Sequence, residues 1–137
     1  MSRSLRAGAF YFAIVFVVGF MLGTVRVMVT DPAFGEFAAM LIEVPLILAA
    51  SWVVCGWVVS RFAVPANLSS RAAMGMAAFV LLMLAELALS MLLFGRSFAE
   101  YVVAYREPAK QIGLISQLLF AAMPLARRQA SPSASRA

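Results

Sequence analysis

Long apolar runs separated by short polar breaks organise this chain, and the runs exceed what a strand or a soluble helix requires. Four of them stand out, at about residues 7–29, 37–60, 72–94 and 109–126. Runs near twenty residues match the roughly 30 Å hydrocarbon core of a bilayer when coiled as α-helices, which satisfy their own backbone hydrogen bonds in lipid. The pattern predicts an all-α membrane protein, a four-transmembrane-helix bundle built as one domain over residues 1–128. The fourth run is the weakest: Lys110, Gln111 and Gln117 interrupt it, and its clean part, Ile112 to Ala126, is short for an upright span.

The first run follows Arg3 and Arg6 as a secretory signal would. Its apolar stretch is longer than a signal core, and no small-x-small cleavage site precedes Thr30-Asp31-Pro32, so it is expected to be a retained anchor. Between the third and fourth runs, Phe98, Tyr101, Val102 and Tyr105 recur at i, i+3, i+4 and i+7. That spacing predicts a short helix lying in the membrane interface with its tyrosines at headgroup level. Pro108 suits the first turn of the helix that follows, where a missing N–H has no partner to lose. Asn67-Leu68-Ser69 reads as a turn and a candidate helix cap before the third span. Residues 129–137, with Ser131-Pro132-Ser133 and no apolar period, read as a disordered cytoplasmic tail.

Composition removes the soluble alternative, because 64% of residues are hydrophobic and 12% charged, against about half and a quarter in soluble domains. The net charge of +5 does not indicate nucleic acid, since the arginines stand singly or in pairs at the ends of apolar runs. A four-span topology gathers Arg3, Arg6, Arg61, Arg71, Arg127, Arg128 and Arg136 on one side. The positive-inside rule makes that side cytoplasmic, so both termini are expected inside, in an inner membrane of bacterial type. Asp31, Glu36, Arg96, Glu100, Arg106, Glu107 and Lys110 fall on the other side. The chain has no His and a single Cys, Cys55, which leaves no disulfide framework and no Cys/His zinc site, and no metal or cofactor is expected.

Ionisable groups at the centre of a span cost about 2.5–3.5 kcal/mol for Arg, Lys or Asp, so those present mark packing or function. Arg26, Glu43 and Glu86 are the three of most interest, and counting the helical rise sets the two glutamates at similar depths. Ser90, one turn after Glu86, and Gln117 on the fourth span complete a candidate intramembrane polar cluster. Gly19 and Gly23 share a helical stripe with Arg26, a spacing that predicts close packing against a neighbouring helix. Pro45 predicts a kink that frees the Leu41 carbonyl near Glu43.

Such a cluster is either an ion pair and hydrogen-bond set that fixes helix registry or a site for proton or ion exchange. The chain offers no nucleophile with its base and no phosphate-binding glycine loop, hence no catalytic residue. The expected function is a non-enzymatic accessory, assembly or scaffold component, embedded in the bilayer and packing as a homo-oligomer or in a larger membrane complex. The alternative is an oligomeric proton-coupled small transporter or channel that uses Glu43 and Glu86.

Overall fold

The computed structural model describes residues 2–93 and 95–129. Among them there is no strand, and the helices run in the order α1 (Ser2–Val25), a π-helical stretch (Arg26–Thr30), α2 (Asp31–Phe34), α3 (Glu36–Arg61), α4 (Leu68–Leu92), α5 (Phe98–Val103), a 3-10 turn (Ala104–Arg106) and α6 (Pro108–Gln129). Four helical segments, Arg3–Phe34, Glu36–Arg61, Leu68–Leu92 and Pro108–Arg127, are long and apolar enough to cross a membrane. The tail expected to be disordered lies outside the described residues, apart from Gln129 at the end of α6.

The first span differs most from expectation, since Thr30-Asp31-Pro32 is helical where a polar break was predicted. Pro32 has no N–H to give, and its ring would press on the carbonyl one turn back. Widening the preceding turn relieves that conflict: the Asp31 N–H donates to the Arg26 carbonyl across a π-type turn. The reversal into α3 is then made by Gly35 alone, at φ 90°, where a side chain would be strained.

Other boundaries follow local chemistry. Asn67 caps α4 by accepting from the Ser70 N–H at 2.7 Å. Ser97 and Glu100 exchange side-chain and backbone hydrogen bonds as a capping box that starts α5. Pro108 opens α6. The 98–105 periodicity thus does form a short helix and turn.

Each long helix packs against two others: α1 and α6 both touch α3 and α4, while α1 faces α6 across a diagonal. Buried residues concentrate at the end where α1 begins and α6 finishes, around Ala7, Tyr11, Cys55, Val58, Met74, Ala78 and Phe120. Absent side chains bring the helices together there. A Cβ on Gly8 would lie 2.6 Å from the Met74 carbonyl oxygen, and one on Gly75 would collide with the Ala121 carbonyl. Val17 and Met21 on α1, Leu46 and Val53 on α3, Leu84 on α4 and Leu118 on α6 are exposed, an apolar exterior suited to lipid.

Two polar arrangements seal this closed end. Pro124 cannot donate within α6, which frees the Phe120 carbonyl one turn earlier, and Tyr11 reaches across the diagonal to donate its hydroxyl there at 2.6 Å. Its ring stacks on Phe120 with centroids 4.3 Å apart. Arg71, expected as an ordinary topology-setting cation, is instead 2% exposed. It donates Nε to the Pro65 carbonyl at 3.1 Å, Nη1 to that of Pro124 at 3.3 Å and Nη2 to that of Val64 at 3.3 Å.

Candidate functional site

At the opposite end the four helices splay, leaving a cleft of about 660 Å³. Its mouth is bordered by Glu36, Arg96 and Glu107, and its floor by Val15, Ser51 and Phe120. All five members of the predicted polar cluster, Arg26, Glu43, Glu86, Ser90 and Gln117, line it. They are grouped as two separate sites on its walls.

On the first wall, Arg26 leads the π-helical stretch, which carries its guanidinium toward α3. Its Nε donates to Glu43 Oε1 at 2.7 Å and its Nη1 to Asp31 Oδ2 at 3.3 Å. Arginine suits this place because its planar fork meets two carboxylates at once without losing its charge. Glu43 is half-buried against Arg26, while Leu41 and Pro45 are exposed. Two residues along a helix is about 200° of rotation, so the proline and the carboxyl face different ways. In a double-mutant cycle, Arg26→Gln and Glu43→Gln are expected to show a coupling of about 1–2 kcal/mol. Arg26→Gln alone should be the more damaging change, because it leaves both Asp31 and Glu43 unpaired, whereas Glu43→Gln leaves Arg26 its Asp31 partner. Equal melting of the two single variants would contradict that assignment.

On the second wall, Gln117 Nε2 donates to Glu86 Oε2 in a very short contact between α6 and α4. Lys110 Nζ stands 3.9 Å from Glu86 Oε1. That ammonium also lies 5.1 Å from the Tyr101 ring centroid and 5.0 Å from that of Tyr105. The two rings meet edge-on, and their hydroxyls are 3.2 Å apart. Burial, reinforced by the Tyr101 hydroxyl, pushes the Tyr105 phenol well above its usual range, so it remains a neutral hydroxyl.

Gly19 and Gly23, expected to pack against a neighbouring helix, both line the cleft. A Cβ on Gly19 would meet only the Ile47 Cδ1, at 3.5 Å, and one on Gly23 would meet nothing within 4 Å. The reason is the splay: the helices converge at Gly8 and Gly75 and have separated by this height. Sequence reasoning also missed Lys110 as a partner of Glu86, and Phe120 in the floor with Tyr11 and Pro124 fixing it from the closed end. Only Pro124 carried a signal, because a proline inside an apolar run announces a freed carbonyl four residues earlier.

Among the described residues, no group of three or more His, Cys, Asp or Glu could hold a metal ion. Three polar atoms on the second wall are buried without a hydrogen-bond partner: Glu86 Oε1, Ser90 Oγ and Gln117 Oε1. No family model, curated protein or solved structure matches the chain.

Proposed function

We propose that the chain is a four-span protein of a bacterial-type inner membrane, with both termini and the Arg61-to-Arg71 connection in the cytoplasm. In this reading α5 lies in the outer interface, and the protein is a non-enzymatic membrane component that seats a ligand or partner group in its cleft, entered from the non-cytoplasmic side. The observation that carries this is the cleft itself, open at one end and floored at the other by Val15, Ser51 and Phe120, whose carbonyl Tyr11 holds from beneath. A blind, largely apolar recess with two polar sites on its walls offers a place to hold something but no passage and no nucleophile with a base. The cytoplasmic orientation rests on the arginines at the closed end.

A second reading, an oligomeric proton-coupled carrier, is favoured by one observation: Glu43 and Glu86 line the same cleft. In that case each carboxylate must exchange its present partner for a proton during the cycle.

Cysteine labelling tests the seat and its orientation together. Gly23→Cys, placed where a side chain meets open space, in a Cys55→Ser background, is expected to react with a membrane-impermeant maleimide added to the periplasmic side of spheroplasts. Labelling only from the cytoplasmic side, or none in either vesicle orientation, overturns the reading. Flux of protons into proteoliposomes, lost in both Glu43→Gln and Glu86→Gln, would replace it with the carrier.

A further inference from the structure

The orphaned atoms on the second wall define a chemical demand. Glu86 Oε1 and Gln117 Oε1 are acceptors, and the Ser90 hydroxyl adds a third oxygen able to accept, yet none of the three has a hydrogen-bond partner. Ser90 is 7% exposed and lines the cleft one turn from Glu86. The nearest cation to Glu86 Oε1, the Lys110 ammonium, stops at 3.9 Å, beyond hydrogen-bond length. It is held there by the faces of Tyr101 and Tyr105. The place is therefore built for a positive group, and the chain's own ammonium satisfies its charge while leaving its hydrogen bonds unmet.

We infer that the cleft takes a ligand bearing a primary ammonium on an apolar body, its three N–H groups donating to Glu86, Ser90 and Gln117 after Lys110 has swung aside. The inference rests on the reading of the cleft as a ligand seat and names what sits in it. Three acceptors match the three donors of a primary ammonium, whereas a quaternary ammonium could satisfy the charge but none of the hydrogen bonds. Phe16, Phe20, Ile47, Leu82 and Leu89 line the remainder of the cleft and suit an apolar body. Lys110 is the tethered competitor, leaving by its flexible stem when a better-fitting ammonium arrives. Two sources carry this chemistry: a small free amine, or the ethanolamine headgroup of a phospholipid.

The experiment uses the full-length protein, delipidated in detergent, with 2-phenylethylammonium chloride as the probe, and 2-phenylethanol and trimethyl-(2-phenylethyl)ammonium as controls. Calorimetry is expected to show binding of the primary ammonium and weaker or no binding of both controls. Glu86→Gln should lower that affinity by about tenfold to a hundredfold, as expected for a lost charge-assisted hydrogen bond. Lys110→Met should raise it several-fold, a gain that misfolding cannot imitate. Native mass spectrometry with phosphatidylethanolamine and phosphatidylcholine forms the second arm. Retention of the former alone, dependent on Glu86, supports the inference with a lipid source, and Glu86-dependent binding of the small amine alone supports it with a free one. Equal binding of the primary and trimethyl probes, or Lys110→Met affinity that is unchanged or lower, overturns it. Should Gly23→Cys still label from the periplasmic side, only the ligand assignment falls and the seat stands.

Discussion

Arg71→Ala is expected to destabilise the bundle by about 2–4 kcal/mol, because it strands buried carbonyls that cost about 1–3 kcal/mol when left unpaired. Arg71 sits at 2% exposure, and its three nitrogens donate to the carbonyls of Val64, Pro65 and Pro124. Two of those carbonyls belong to the connection between α3 and α4, outside any helix, and the third lies in α6. One guanidinium on α4 therefore ties the α3–α4 connection to α6, the helix packed against both α3 and α4. Truncating it leaves polar groups buried without partners. Arg71→Lys should restore only part of the loss, because an ammonium cannot present the same planar fork. The midpoint of thermal unfolding in detergent reads the effect, with Arg61→Ala as the reference: Arg61 is exposed on the same side of the bundle and should change stability by no more than about 0.5 kcal/mol. If both variants melt together, Arg71 is merely another topology-setting cation.

Gly75→Ala carries the second large effect, an expected loss of about 1–3 kcal/mol from overpacking. The added methyl would meet the backbone carbonyl of Ala121, which cannot turn away as a side chain can. To admit it, α4 and α6 must separate where they approach most closely, and the Pro124 ring, 3.7 Å from the same Cβ position, must follow. Gly56→Ala is the informative contrast. Its Cβ would fall 2.6 Å from the Arg127 guanidinium, but that group ends a flexible chain and has room to move. The cost should be confined to the Arg127 contacts, a hydrogen bond to the Trp52 carbonyl at 2.8 Å and a position 4.1 Å above its ring. A cation over an exposed ring is worth about 0.5–1 kcal/mol. Equal destabilisation by the two substitutions would show that helix separation is not the cause.

The four long helices were legible because hydropathy acts through composition alone, and any arrangement of these segments must bury their backbones the same way. Arg26, Glu43, Glu86, Ser90 and Gln117 were legible for a related reason: polar groups in apolar runs are costly enough to be informative one by one. Their pairing was not. Which carboxylate Arg26 reaches depends on the π-type turn around Pro32, a consequence of one imino acid at one position. Lys110 reads along the chain as a flaw in the fourth span. In space it neighbours Glu86 because α5 and its 3-10 turn carry Tyr101 and Tyr105 to the same place.

Glycine spacing illustrates the same limit. Gly19 and Gly23 satisfy the small-x-x-x-small pattern and line an opening, whereas Gly75, which belongs to no such pair, is where α4 and α6 touch. A one-dimensional pattern records that close approach is allowed on one helix, not that another helix comes. The height at which two helices cross is set by all four together. Arg71 was hidden for a comparable reason, since it donates to the main-chain oxygens of Val64, Pro65 and Pro124, groups that every residue possesses and no sequence pattern marks.

The crowding of buried residues at one end divides the molecule by resistance to opening. Backbone amides around Tyr11, Val58 and Met74 can meet solvent only when the whole assembly comes apart, while those near Thr24, Gly35 and Leu92 need little more than fraying. Unfolding thus has a direction, beginning at the loosened rim and ending at the knot below it. The half of the protein that must accommodate a guest is the half that can yield without endangering the rest.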